Sequence, residues 1–282
     1  MNSKFHPEHI NANSEDFEGN NGYGRYIFLP GSDGRAKNIA EHFENVSVKE
    51  HSRRHNLYKG VLKTSSGNID VASIATGMGT PSLDIIVNEL YRLGAKRFLR
   101  VGTAGLLQPT YMRAGDFSVA TGAVRDDGAT NFYAPPEFPA IASYEIVQAV
   151  KNAAANLNIN KKLHSGIIHS KASLYAREFK TGPLAEENIK YMKQISEAGT
   201  IASEMEASML FILTSIFNNQ LIQKYGRTLK PSEEIKSGAV CVILGEGDDF
   251  GTPEQLKKIT NNLLSLSFES IKELAKMEGL IS

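Results

Sequence analysis

The chain lacks most of the features that would tie it to the cell exterior or to polyanions. Cys241 is its only cysteine, so no disulfide can form within the chain. The apolar neighbours Val240, Val242 and Ile243 indicate a buried strand thiol rather than a nucleophile. Basic and acidic residues balance at 31 each. A net charge of zero argues against nucleic acid or an anionic membrane as the main partner.

Long apolar runs and familiar cofactor motifs are also missing. No apolar stretch approaches the roughly 20 residues that span a bilayer. The polar, acidic residues 1–22 resemble neither a signal peptide nor a transit peptide, so we expect a cytoplasmic protein. Gly-x-Ser-x-Gly, zinc-ligand spacing, the dinucleotide fingerprint and the Walker loop are all absent. We therefore expect no metal and no cofactor.

What is present is an alternation of strand and helix patterns. Predicted strands are Arg25–Pro30, Asp70–Ala75, Lys96–Gly102, Phe117–Val124, Ser165–Ser170 and Gly238–Leu244. Predicted helices are Ala36–Phe43, one that Thr80 caps and Gly94 ends, Tyr144–Leu157, Ala207–Phe217 and one within Pro253–Met277. This order predicts an α/β protein with a mixed central sheet between two helical layers. We expect residues 1–23 to form a loosely held arm, residues 24–282 to form one domain, and Asn218–Lys236 to be an exposed connection.

The most informative stretch runs from Arg100 to Gly105, Arg-Val-Gly-Thr-Ala-Gly, where an apolar strand ends. A guanidinium at a buried strand end needs an anion or a carboxylate partner. Gly102 and Gly105 let the backbone approach a ligand, and Thr103 adds a hydroxyl and an amide. Together they predict a pocket for a small oxyanion such as phosphate.

Three further segments extend this pattern: Leu29–Arg35, Ile74–Ser82 and Ser203–Ser208. With Arg100–Gly105, in this order and at these separations, they resemble the nucleoside phosphorylase family, and most of all its uridine phosphorylase branch. The resemblance implies that phosphate attacks C1′ of a nucleoside and releases the base. Uridine is the first expectation. The alternatives are a purine nucleoside phosphorylase, a hydrolytic nucleosidase and a weakly active nucleoside-binding homologue.

For phosphate, the resemblance implies Gly31 and Arg35 on the first loop, Arg100 and Thr103 on the central strand, and Arg54 from a neighbouring subunit. Arg100 is one of two expected catalytic residues. The family is commonly built from dimers, often as hexamers, so we expect a homo-oligomer. Inorganic phosphate is a co-substrate rather than a cofactor. The alternative is that Arg35 and Arg54 are surface arginines with carboxylate partners.

The first loop and the cation site depart from the family pattern. Gly31-Ser32-Asp33-Gly34 stands where the family usually has Gly-Asp-Pro, so the acidic residue of the loop has moved or been lost. Some relatives hold a monovalent cation through a glutamate after the Arg54 position. His55 occupies that position here, so the sequence predicts no such ion.

For ribose, the resemblance implies Glu206, the second expected catalytic residue, accepting from the 2′ and 3′ hydroxyls. Met205 would pack on the sugar, and His6 would reach the 5′ hydroxyl in a neighbouring subunit. The alternative is purely structural, because Ser203-x-x-Glu206 also has the spacing of a capping box at a helix start.

The base-binding stretch departs most from the family pattern. Leu174 stands where an aromatic side chain would stack on the base, and Lys180 replaces the usual arginine. The usual glutamine corresponds to Glu178, or to Arg177 if the alignment shifts by one. An ionised glutamate cannot donate, and a lysine cannot make a planar bidentate contact.

A purine enzyme would place an acid near Glu246, where a solvated acidic loop is the alternative. The base-binding candidates are Gly105, Leu174, Arg177, Glu178, Lys180 and Glu246.

Overall fold

A computed structural model describes residues 5–245 and 252–282 and confirms the α/β class. The strands are β1 (Tyr26–Leu29), β2 (Glu44–Lys49), β3 (Leu57–Thr64), β4 (Gly67–Ser73), β5 (Arg97–Leu106), β6 (Phe117–Asp126), β7 (Ala140–Ile141), β8 (Leu163–Lys171), β9 (Ala202–Glu204) and β10 (Lys236–Ile243). The helices are α1 (Asp33–Ala40), α2 (Thr80–Arg92), α3 (Tyr144–Asn156), α4 (Leu174–Arg177), α5 (Ala185–Glu197), α6 (Ala207–Tyr225) and α7 (Pro253–Met277).

The sheet is mixed, as predicted, and β5 is its centre. β5 pairs in parallel with β1 and β10 and antiparallel with β9. β10 continues to β6, β8 and β9, so these strands and β5 form a closed circuit. On the other side of β5, the sheet extends through β1, β4, β3 and β2. The strand that carries the predicted anion motif is therefore hydrogen-bonded on both edges.

The buried strands have the composition that their position requires. Strands buried on both faces read as continuous apolar runs, and every residue of β1 and β10 is buried. α2 packs against α6, and α3 packs against α7. Among the described residues, none of the helices has the length and apolar character needed to cross a membrane.

The helix that follows the segment Ile74–Ser82 has its N-cap one residue earlier than predicted. Gly79 is the N-cap of α2, with φ of 81°, and Thr80 is the first helical residue. Pro81 lies in the first turn, where its missing N–H costs nothing. Only glycine readily takes this left-handed backbone conformation, which turns the Gly79 N–H towards the site described below.

The expectation of a loosely held N-terminal segment is wrong for residues 5–23. Ile10 and Phe17 are buried in the main hydrophobic core. Asp16 is buried and forms an ion pair with Lys49 at 2.6 Å. Apolar anchors within a polar segment hold it against the sheet. The division between an arm and a domain at residue 23 stays a prediction.

Several other elements were not predicted, including α4, α5, β7 and β9. The β2–β3 hairpin was also missed, because β2 is short and its alternating Val46 and Val48 are exposed rather than packed in a core. α6 extends to Tyr225, so the first part of the expected connection Asn218–Lys236 is helical. Asn218 also donates to the Ile235 carbonyl at 2.8 Å and accepts from its N–H at 2.8 Å, which ties the two ends of the connection together.

Candidate active site

A cavity of about 300 Å³ lies at the carboxyl end of β5 and gathers most of the predicted residues. Those that line it are Gly31, Arg35, Arg100, Thr103, Gly105, Leu174, Glu178, Met205 and Glu206. A larger cavity of about 530 Å³ lies between the N-terminal turns and Lys96. The Lys96 ammonium already donates to the Gly22 carbonyl, so we place the candidate active site in the cavity at the end of β5.

Arg100 is held between two carboxylates. It is 4% exposed; Nε donates to Glu204 at 2.8 Å, and Nη2 donates to Glu206. Its third nitrogen, Nη1, is buried and has no hydrogen-bond partner among the described residues. Burial opposes the charge, but the carboxylates of Glu206 and Glu204 hold the pKa of Arg100 above its ordinary value. The predicted need for an anionic partner is met, with one donor left over.

Glu204 fixes the start of α6. Its carboxylate accepts from the Glu206 N–H at 2.8 Å and from the Ala207 N–H at 3.0 Å. Burial opposes ionisation, yet Arg100 and these N–H donors lower the pKa of Glu204. The alternative of a capping box is wrong, because Ser203 lies in β9 and the Glu206 side chain caps nothing.

The Glu206 side chain makes no capping hydrogen bond to α6 and faces the segment Ile74–Ser82. Its Oε1 accepts from the Gly79 N–H at 2.6 Å. Burial raises the pKa of Glu206, with the neighbouring Glu204 charge adding to the effect and Arg100 opposing it. This carboxylate thus joins the motif around Gly79 to the guanidinium of Arg100, in the position that the ribose prediction required.

Arg35 lies on the first loop beside a second positive charge. Its Nη1 donates to the Val101 carbonyl at 3.4 Å. Burial and repulsion from Arg100 lower the pKa of Arg35. Two guanidinium groups that repel each other at one cavity wall are a favourable environment for an anion.

The displaced acid of the first loop has a structural role. Asp33 accepts from Asn56 and from the Tyr58 hydroxyl, each at 3.1 Å. The Ser32 hydroxyl accepts from the Arg35 N–H at 3.4 Å and caps α1. Arg35 is therefore oriented by the helix start and by β5 rather than by Asp33.

The two glycines of the central motif are required by close packing. A Cβ at Gly102 would lie 2.9 Å from Cys241 Sγ and 3.1 Å from Arg100 Nη2. A Cβ at Gly105 would lie 1.7 Å from Glu178 Oε1. Burial raises the pKa of the Cys241 thiol to about 12, which confirms a buried strand thiol rather than a nucleophile.

Lys171, at the end of β8, lines the cavity and was not predicted. It is 2% exposed; its Nζ lies 2.6 Å from Glu178 Oε2 and donates to the Ser203 hydroxyl at 3.0 Å. One signal could have identified it: a lysine at the carboxyl end of a buried strand, the edge where α/β sheets bind ligands.

Arg177 and Lys180 lie outside the cavity. Arg177 donates from Nε and Nη2 to Asp126, both at 2.7 Å, and lies 3.9 Å from the centre of the Tyr191 ring. With Lys180 it lines a neighbouring cavity of about 350 Å³. The bidentate pair with Asp126 holds Arg177 there, so Glu178 and not Arg177 lines the cavity at β5.

Arg54 and His6 also lie outside the cavity in this single chain. Arg54 is exposed in the β2–β3 connection, and the exposed His6 ring lies 3.1 Å from the Pro7 carbonyl oxygen. Both were predicted to act across a subunit interface, and both roles stay predictions. Glu246 lies outside the described residues. Within 5–245 and 252–282, no group of three or more His, Cys, Asp or Glu side chains is arranged to hold a metal ion.

Comparison with known proteins supports the same interpretation. Residues 25–223 match the family model described as the phosphorylase superfamily. The chain is similar to a uridine phosphorylase of Treponema pallidum, with 32% identity over 261 residues that cover 91% of this chain and 92% of the relative. It is also similar to an Escherichia coli uridine phosphorylase, with 30% identity over 94% of this chain and 97% of the relative. A guanosine phosphorylase of Halorubrum lacusprofundi is 27% identical over 87% of this chain and 92% of the relative.

Proposed function

This chain belongs to the phosphorylase superfamily, and on that basis we propose that it is a pentosyltransferase that cleaves nucleosides with phosphate. The proposed reaction converts uridine and phosphate to uracil and ribose 1-phosphate. We favour uridine as the substrate because several proteins that resemble this chain along most of its length are uridine phosphorylases.

The observation that carries the proposal is Arg100, which Glu204 and Glu206 hold while Nη1 has no partner in the part of the chain that the structure describes. Arg35 adds a second, half-buried cation whose charge Arg100 disfavours. A phosphate dianion bound beside the two guanidiniums would relieve their repulsion and satisfy the free donor. In this proposal Gly31 and Thr103 complete the phosphate site.

Glu206 would then serve the sugar. An ionised carboxylate only accepts hydrogen bonds, which suits the two vicinal hydroxyls of ribose. Its negative charge also stabilises the positive charge that develops on the sugar as the bond to the base breaks. The Gly79 N–H and Arg100 hold this carboxylate in place, so little reorganisation is needed during the reaction.

A product assay tests the proposal. Purified protein is incubated with uridine, thymidine, inosine, guanosine and adenosine, with and without phosphate, and free base and sugar phosphate are separated by chromatography. We expect uracil and ribose 1-phosphate from uridine only when phosphate is present. Release of ribose without phosphate would instead indicate a hydrolytic nucleosidase.

A purine nucleoside phosphorylase is the second candidate, because one relative along most of the chain is a guanosine phosphorylase. Phosphate-dependent release of guanine or hypoxanthine, with uridine left intact, would establish it. Nucleoside binding without release of any base would indicate the third candidate, a weakly active binding homologue. The retained Arg100 and Glu206 argue against that candidate.

We further propose a cytoplasmic enzyme of pyrimidine salvage that works as a homo-oligomer built from dimers, with a hexamer as the full assembly. The proposal rests on the expected contribution of Arg54 and His6 from a neighbouring subunit. Mixing an Arg54→Ala variant with an Arg100→Met variant tests it: shared sites should regain activity in mixed oligomers. No gain after subunit exchange would contradict shared sites.

A further inference from the structure

The cavity contains a buried ion pair towards the carboxyl end of β5. The Arg100 guanidinium lies beside Gly102, and Gly105 follows three residues further along the strand, about 10 Å away. Glu178 packs directly on Gly105, and Lys171 pairs with Glu178 at 2.6 Å. Their side chains are only 3% and 10% exposed. Phosphate and ribose occupy the Arg100 and Glu206 side in the proposed function, so the pair lies where the base must be.

Lys171 is held in one orientation by a hydrogen-bonded chain. Its Nζ donates to the Ser203 hydroxyl at 3.0 Å, and that hydroxyl lies 3.0 Å from His169 Nδ1. His169 Nε2 lies 2.9 Å from Asp126. Among residues 5–245 and 252–282, the remaining ammonium proton has only the Glu204 carbonyl within reach, at the limiting distance of 3.5 Å. A better acceptor in the cavity could take that proton.

The pair presents one donor and one acceptor side by side. An ammonium donates only, and a carboxylate only accepts. The complementary ligand edge therefore has a carbonyl oxygen next to an N–H, which is a lactam. Uracil, thymine, hypoxanthine and guanine carry that edge. A base that is held by its ribose presents this edge in one order. Cytosine or adenine would then place its amino group against the ammonium and its unprotonated ring nitrogen against the carboxylate.

We propose that Lys171 and Glu178 together read the lactam edge of the base, with Lys171 donating to the carbonyl oxygen and Glu178 accepting from the ring N–H. The pair replaces the glutamine and arginine readout of the resembled family. This inference rests on the proposed nucleoside phosphorolysis and identifies the groups that select its substrate. Discrimination arises because the wrong base leaves a buried polar group without a partner.

The test compares kcat/KM for uridine and cytidine in two variants. Glu178→Gln keeps the shape but adds an amide donor that can face the cytosine ring nitrogen. We expect the ratio of uridine to cytidine to fall at least about tenfold. Lys171→Met removes the donor, and we expect KM for uridine to rise about tenfold or more, with a smaller change for cytidine.

The exposed Lys193–Glu197 pair on α5 provides matched controls. Lys193→Met and Glu197→Gln make the same chemical changes outside the cavity and should leave both ratios unchanged. Thermal unfolding of each variant confirms that it is folded. A uridine-to-cytidine ratio within twofold of the unsubstituted protein in both folded cavity variants would overturn the inference.

Calorimetric binding of uridine and cytidine without phosphate separates this inference from the proposed reaction. We expect uridine to bind more tightly than cytidine and to lose that advantage in both cavity variants, even in a protein that turns over slowly. Equal affinity for the two nucleosides would overturn the inference. If the protein cleaves only purine nucleosides, the proposal of uridine as the substrate is wrong. The ratio of kcat/KM for inosine to that for adenosine then tests Lys171 and Glu178.

Discussion

The two ends of the cavity were predictable to different degrees. At the Arg100 end, the sequence motifs and the geometry agree, because Arg100, Glu204 and Glu206 form one closed ion network. At the Gly105 end, the stacking position holds Leu174, and the polar contacts come from Lys171 and Glu178. Every ribonucleoside carries the same ribose, and the same phosphate ion attacks it. Only the base differs, so the chemistry allows the second end to vary while the first cannot.

The largest expected effect comes from breaking the first end. We expect Arg100→Met to lower phosphate-dependent kcat/KM by about 10³-fold or more, because it removes the central anion donor. It also leaves two buried carboxylates unpaired, which we expect to cost about 3–5 kcal/mol of unfolding free energy. Steady-state kinetics and chemical denaturation measure the two effects separately.

Arg97 offers a control on the same strand. It is 1% exposed and bonds Glu278 at 2.8 Å, but it does not line the cavity. Arg97→Met should lower stability while each folded molecule keeps its activity. Near-normal activity in folded Arg100→Met would rule out the anion site.

Glu206→Gln should produce the next largest effect. The amide keeps the volume but loses the charge that accepts from both ribose hydroxyls. We expect kcat/KM for uridine to fall by about 30- to 150-fold, which corresponds to about 2–3 kcal/mol. Stability should fall less than in Arg100→Met, since Arg100 keeps Glu204 as a partner and Glu204, not Glu206, caps α6.

Comparison with 2′-deoxyuridine sharpens this result. The substrate that lacks one hydroxyl should lose less than uridine when Glu206 is changed. An equal loss for both substrates, or a loss of stability alone, would contradict the ribose role.

The two glutamates should also titrate differently. Burial raises the pKa of Glu206 above the ordinary 4.5, whereas Glu204 stays ionised to lower pH because Arg100 and N–H donors lower its pKa. Ribose binding requires ionised Glu206, so kcat/KM should begin to fall as pH decreases while still above 4.5. A profile of kcat/KM against pH measures this limb, and Glu206→Gln should remove it. A limb that persists in this variant would belong to another group.

Glu204 and Glu206 should also contribute to the free energy of unfolding with opposite dependence on pH. The contribution of Glu204 is present above its unfolded pKa and is lost as pH falls through its lower folded value. The contribution of Glu206 is greatest below its unfolded pKa and is lost as pH rises through its higher folded value. Denaturation of Glu206→Gln at several pH values should therefore show the difference from the unsubstituted protein changing with pH.

The smallest expected effect comes from restoring the stacking position at the base end. Leu174→Phe places an aromatic ring where the resembled family has one. Stacking contributes about 0.5–1.5 kcal/mol, so we expect KM for uridine to fall about 2- to 10-fold with little change in kcat. Unchanged KM in a folded variant would show that Leu174 does not contact the base.

How far the sequence could predict the site depended on the kind of signal. Arg100 was predictable because a charge at the end of an apolar strand requires a partner, and the partners are Glu204 and Glu206. The capping role was assigned to the wrong side chain. Ser203 and Glu206 have the spacing of a capping box, but β9 takes up Ser203, and the carboxylate of Glu204 caps α6 instead.

Lys171 and Arg177 show why the base end was harder to predict. A lysine that ends a strand is usually solvated, and only the pairing of β8 with β9 brings Lys171 beside Ser203. Arg177 is adjacent to Glu178 in sequence, yet the helical turn of α4 directs it to Asp126 on β6. Both outcomes depend on contacts between residues far apart in sequence, which local pattern cannot supply.

The pairing of β5 on both edges has a consequence for amide hydrogen exchange. Amides in the core of a sheet exchange only when the sheet opens as a unit, with a free energy near that of global unfolding. The backbone at Gly102 lies opposite Cys241 in such a pair, whereas the short α4 beside Glu178 has no strand partner among the described residues. We therefore expect exchange to be slow at the Arg100 end of the cavity and fast at the base end.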